Sequence, residues 1–102
     1  MKIEFFVKNF ECNPQIKNKI EGKINKLARF SERILRVRVE LVFKPQFKGE
    51  KNFKVEIKLE VPGNDLYAAS YGKNLLLALD EVLKKIKHKL LAYKEKLIER
   101  RK

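Results

Sequence analysis

Residues 74 to 100 read N-L-L-L-A-L-D-E-V-L-K-K-I-K-H-K-L-L-A-Y-K-E-K-L-I-E-R. Leu75, Leu79, Val82, Leu83, Ile86, Leu90, Tyr93 and Leu97 recur at steps of three and four, which on a helix of 3.6 residues per turn gathers them into one stripe roughly 100° wide. A stripe of that kind needs a surface to pack on. Around the same wheel, at about 100° per residue, Lys85, Lys89 and Lys96 line one flank with His88 further round, and Lys87 and Lys94 line the other. The predicted helix is therefore both a core element and a cationic surface, and the chain before it must supply what the stripe covers.

That supply is legible upstream. Ile3, Phe5 and Val7 alternate with Lys2, Glu4, Phe6 and Lys8, the period of a half-buried strand over residues 2–8. Asn13-Pro14 opens a helix to about Phe30: the Asn side chain can accept from an unpaired amide, and Pro at the first helical position loses nothing by lacking its own. Ile16, Ile20, Ile24, Leu27 and Ala28 form its apolar stripe. Val37, Val39, Leu41 and Phe43 then alternate with Arg36, Arg38, Glu40 and Val42 as a second strand, and Lys44 through Lys51, with Pro45 and Gly49, reads as a basic loop. Phe53, Val55, Ile57, Leu59 and Val61 against Lys54, Glu56, Lys58 and Glu60 make the cleanest strand. Pro62-Gly63-Asn64 supplies a turn, and residues 65–71 a fourth strand whose small residues leave room for a close helix. Gly72-Lys73 breaks that strand and Asn74 caps the last helix.

The predicted order is β-α-β-β-β-α, an α+β two-layer sandwich with a four-stranded sheet and both helices on one face, because each stripe has only that face to cover. One hundred and two residues make a single domain, 1–102, with one core. Hydrophobic residues at 44% and charged residues at 37% suit a compact chain with a heavily charged skin. The amino terminus carries an acid where a secretion signal would be apolar, and no apolar run reaches the roughly 20 residues of a membrane span, so a cytoplasmic location is expected.

Net charge is +12, which in so small a chain calls for a polyanionic partner. Lys19, Lys23, Lys26 and Arg29 follow one another at spacings of four, three and three along one side of the first helix, where like charges repel by a few tenths of a kcal/mol per pair. A helix that only had to fold would mix in more acids. Lysine rows without aromatics grip phosphates rather than read bases, so folded RNA recognised by shape is the expected target. The open sheet face, chiefly alternating Lys and Glu, reads as cross-strand ion pairs, with Tyr67 and Tyr71 near one edge as the only candidates for base stacking.

Catalysis finds little to work with. His88 is the only imidazole, sits among lysines, and has no acid at helical spacing to orient it. Gly72-Lys73-Asn74 lacks the first glycine and the Ser or Thr of a phosphate-binding loop. Cys12, the single cysteine, lies near a helix start where a thiol pKa can fall, against the plainer reading of a small residue at a corner. Asp80 and Glu81 are adjacent and so turned about 100° apart, which suits helix-start charges and not an acid/base pair. One Cys and one His are too few for a zinc site. No enzyme activity, cofactor, metal or small-molecule substrate is expected.

Three stretches carry a family resemblance: N-P-Q-I-K-N-K-I-E-G-K-I-N-K-L-A-R-F in the first helix, V-P-G-N-D-L-Y-A at the turn, and L-A-L-D-E-V-L-K-K-I-K-H-K-L in the second helix. With the element order, they make the whole chain resemble the ribosome hibernation promoting factors and the related ribosome-associated inhibitor proteins. The resemblance implies a protein that lodges in the decoding region of the small ribosomal subunit under stress or in stationary phase. There it touches ribosomal RNA, blocks messenger and transfer RNA, and inhibits translation. Lys23, Lys26 and Arg29 match basic positions of the family's first helix, and Lys85 and Lys96 those of the second. His88 stands where Arg is usual, Ala92 where Lys is frequent, Leu76 for a familiar Tyr, Asn74 for Asp, and Lys84 for an acid or amide. Lys19 and Lys89 join the candidate rRNA-binding set from the helical wheel alone. A chain ending at Lys102 resembles the short form, which would rely on a second factor where ribosomes pair.

Two rival readings follow from the same charge. A general binder of double-stranded or structured RNA would use the same helices without preference for the ribosome. A membrane-surface protein would need the apolar stripe of the last helix, which the core already claims.

Overall fold

In the computed structural model the elements are β1 (Lys2–Lys8), α1 (Pro14–Ala28), β2 (Arg36–Phe43), β3 (Phe53–Val61), β4 (Asn64–Gly72) and α2 (Leu75–Arg100). The structure describes residues 1–45 and 51–100, with side chains through residue 96. Most of the expected basic loop from Lys44 to Lys51, and the side chain of Leu97, lie outside the described residues.

The strands lie side by side in the order β1-β2-β3-β4. β1 pairs parallel to β2, with Phe5 opposite Val39, which the α1 crossover between them permits. β2 and β3 are antiparallel with Val39 opposite Ile57, and β3 and β4 antiparallel with Ile57 opposite Ala68. This register stacks the apolar rows of all four strands on one face. Pro62 and Gly63 alone form the β3-β4 loop, since Val61 already pairs with Asn64. Gly63 has φ of 81°, which suits the second central position of a type II turn and is strained for any residue with a Cβ.

Both helices cover that apolar face. Ile20, Ile24 and Leu27 of α1 share one core with Val37, Val39 and Leu41, with Val55, Ile57 and Leu59, and with Leu79, Val82, Ile86 and Leu90 of α2. Each such Val, Leu or Ile, fully buried, contributes about 1.5–3 kcal/mol. α2 lies over β3 and β4, with α1 beside it. Leu66, Ala68 and Ser70 all face α2 and are buried. The approach is closest at Gly72, where an added Cβ would lie 2.7 Å from the backbone nitrogen of Ala78.

Both helix starts are capped by asparagine. The Asn13 side chain accepts from the Gln15 amide at 2.6 Å with Pro14 next in line, and the Asn74 side chain accepts from the Leu77 amide at 2.9 Å. α1 ends two residues short of Phe30: Arg29 is the cap residue, and the Phe30 and Ser31 amides reach back to Leu27 and Ala28 in a tightening turn. Val42, expected on the polar face, is buried between Lys8 and Lys54 in register.

Candidate nucleic-acid interface

The two faces of the molecule differ in charge balance. On the open sheet face Lys2, Lys8, Arg36, Arg38, Lys54 and Lys58 stand against Glu4, Glu40, Glu56, Glu60 and Asp65, six cations to five carboxylates. They pair across strands: Arg36 lies 3.5 Å from both Glu4 and Glu60, Lys58 3.4 Å from Asp65 and Lys8 3.6 Å from Glu40. Residues 14–29 and 75–96 of the helix layer instead carry eleven cations against Glu21, Asp80, Glu81 and Glu95. The excess of positive charge therefore lies on the helices and not on the sheet.

The helices run alongside each other in parallel. Lys23 Nζ lies 2.7 Å from Asp80 Oδ1, and the Lys87 ammonium sits 4.6 Å above the Phe30 ring; in both pairs the partners are 57 positions apart. Lys23, Lys26, Leu27 and Phe30 thus face Leu83, Lys84 and Lys87 across a groove of about 210 Å³. Lys26 and Lys84 have no ion-pair partner among the described residues, while Lys23 is matched by Asp80. Lys19, one turn before Lys23, and Arg29, at the helix end, are exposed.

The remaining candidates lie elsewhere on the same layer. Lys85 donates to the Ala69 carbonyl at 3.0 Å, and Lys89 donates to the Tyr67 carbonyl. Both therefore lean over β4, on the flank of α2 away from α1. Exposed His88 joins them around a shallow cleft that includes Tyr67 and Ala69. Lys96 is exposed further along the helix. The structure thus brings Lys23 and Lys26 together with Lys84 and Lys87, two lysines outside the candidate set, and keeps Lys85, His88 and Lys89 apart from them. The handedness of the β1-α1-β2 crossover carries the missing signal, because it decides which flank of α2 faces α1.

Other groups are accounted for by their surroundings. Burial pushes the Cys12 thiol up, against the opposing pull of Lys17, which corrects the lowered thiol considered from its place near a helix start. Burial alone would raise Glu56, yet hydrogen bonds from Lys54 and Tyr67 hold its carboxyl below the usual range. Tyr67 is raised by burial and by its donation to Glu56. Arg38 sits 4.8 Å over the ring of Phe6, so the open face carries a third exposed aromatic besides Tyr67 and Tyr71. Among the described residues no three His, Cys, Asp or Glu side chains gather as metal ligands, and no helix is long and apolar enough to cross a membrane.

Known proteins share this architecture. The N-terminal domain of Thermus thermophilus Protein Y superposes with a TM-score of 0.77 at 20% identity, covering 91% of this chain and 99% of that one. A ribosomal subunit interface protein from Coxiella burnetii also gives 0.77, at 18% identity, covering 93% and 99%. In sequence, the chain is 28% identical to a ribosome hibernation promoting factor of Klebsiella oxytoca over 95% of its own length and 97% of the relative's. It is 24% identical to a ribosome hibernation promotion factor of Deinococcus radiodurans over 92% of its length, and spans 49% of that longer relative. A sequence model of one family accounts for residues 3–98, from β1 through nearly all of α2. By that match the chain belongs to the sigma 54 modulation protein / S30EA ribosomal protein family.

Proposed function

We propose that this chain is a ribosome hibernation factor that binds the small ribosomal subunit in its decoding region. Its helix layer would contact ribosomal RNA, exclude messenger and transfer RNA, and silence translation in stressed or stationary cells. The observation that carries this reading is the charge asymmetry: a surplus of lysines, with Arg29, on the helices, and paired charges on the sheet. Family membership and the names of the Klebsiella oxytoca and Deinococcus radiodurans relatives support a ribosomal target over an arbitrary polyanion. The role is one of binding and obstruction, not catalysis, and a ribosomal partner puts the protein in the cytoplasm.

The gripping residues in this reading are Lys19, Lys26 and Arg29 on α1 and Lys85, His88, Lys89 and Lys96 on α2, with Lys84 and Lys87 added and Lys23 shared with Asp80. With about six to eight phosphate contacts, affinity falls by about 10³- to 10⁴-fold between about 50 and 200 mM salt. Co-sedimentation with purified small subunits over that range tests it, comparing the parent with Lys19→Glu/Lys26→Glu and Lys85→Glu/Lys89→Glu. The expected result is a steep salt response and loss of binding in both folded variants. Folded variants that co-sediment like the parent would remove the helix layer from the interface. Competition by arbitrary duplex RNA at equal affinity would favour a general RNA binder.

A further inference from the structure

We infer that the groove between α1 and α2 receives an unpaired nucleotide of the bound RNA, its base against the apolar floor and its phosphate on the lysine rim. This deepens the RNA-binding reading and rests on it. The floor is Leu27, Phe30 and Leu83, and the rim is Lys26, Lys84 and Lys87. A duplex backbone offers a row of lysines nothing but phosphates, and gains nothing from apolar surface lying between them. A nucleotide joins a flat ring with apolar faces to a phosphate, which is the combination this groove meets. Its volume of about 210 Å³ falls below the roughly 300–1,000 Å³ of sites that enclose drug-sized ligands, which fits one base and not a dinucleotide.

Phe30 supplies what the row of helical lysines lacks. It follows the end of α1, outside the helical pattern, and the turn through Arg29 swings its half-buried ring into the groove. In the free protein the ring already holds a cation, Lys87 at 4.6 Å. Exposed contacts of this kind are weak, so an entering base displaces the ammonium easily. The released Lys87 then stands beside Lys26 and Lys84 to meet the phosphate of the nucleotide whose base took its place. Unstacked bases are the usual targets of RNA recognition because their faces are open to aromatic side chains.

The test uses three two-stranded RNA duplexes of the same sequence: fully paired, carrying one bulged 2-aminopurine, and carrying an abasic residue at the bulge. The parent chain is expected to bind the 2-aminopurine bulge about 10- to 100-fold more tightly than the abasic one, with quenched fluorescence. Phe30→Leu keeps an apolar floor without a ring, and should lose that preference while binding the fully paired duplex as the parent does. Should Phe30→Leu fail to fold, Leu83→Gln on the facing wall serves the same comparison. Equal affinity of the parent for bulged and abasic RNA, or an undiminished preference in the folded variant, overturns the inference. A parent that binds neither these RNAs nor small subunits overturns the RNA-binding reading itself, whereas binding without discrimination removes only the groove.

Discussion

Lys23 and Asp80 meet at 2.7 Å across the groove, the one ion pair that ties α1 to α2 among the described residues. Both side chains are well exposed, so the pair contributes about 0–1 kcal/mol to stability. Its larger effect is on charge, because Asp80 cancels one cation of the proposed grip. Asp80→Asn should leave the melting temperature nearly unchanged and tighten binding to small subunits at low salt. The slope of log affinity against log salt should steepen by about 0.7 to 0.9, the increment for one more phosphate neutralised. An unchanged slope would show that Lys23 does not reach RNA.

Gly72 marks where α2 comes nearest the sheet. An added methyl would meet the Ala78 nitrogen at 2.7 Å and the Asn74 carbonyl oxygen at 3.0 Å, both backbone atoms that cannot swing aside. Gly72→Ala should therefore cost about 1–3 kcal/mol in urea denaturation, as overpacking does elsewhere. A wild-type midpoint in that variant would mean the start of α2 shifts freely over β4.

Ser70, two residues earlier on the same face of β4, predicts the opposite sign. Its hydroxyl is buried beneath α2 with no hydrogen-bond partner among the described residues. Removing a buried unsatisfied polar atom is neutral or favourable, so Ser70→Ala should hold or raise stability by up to about 1 kcal/mol. Clear destabilisation on denaturant melting would reveal a partner for that oxygen.

Glu56 gives the fold a pH dependence. Its carboxyl lies below the ordinary value of 4.5, because donation from Lys54 and Tyr67 outweighs burial. A group depressed on folding stabilises the native state above its unfolded pKa, and that contribution disappears as pH falls through the folded value. The parent should lose melting temperature below about pH 4.5 through this residue. Glu56→Gln should be less stable at neutral pH and show a smaller drop on acidification. Parallel melting curves for the two proteins from pH 7 to pH 3 would exclude the contribution.

Periodicity was enough to place six elements in order, because alternation in β3 and the three-and-four spacing in α2 are nearly unbroken. The asparagine caps and the small residues of β4 were legible for the same reason: each meets a local backbone need. The site was legible only in part. A helical wheel assigns Lys85 and Lys87 to opposite flanks of α2, but which flank meets α1 depends on how both helices lie on the sheet. Phe30 is invisible to the pattern because it lies in the turn after α1 has ended. The sequence marks Asp80 only as a charge near a helix start, because its partner lies on the other helix, 57 positions away.

The ammonium groups of Lys85 and Lys89 rest on the outward carbonyls of Tyr67 and Ala69, in the outermost strand beside α2. A foreign strand adding there would need those same oxygens for its own amides, and it would find them occupied. Part of the surplus charge of the helix layer thus also guards the β4 edge against sideways polymerisation.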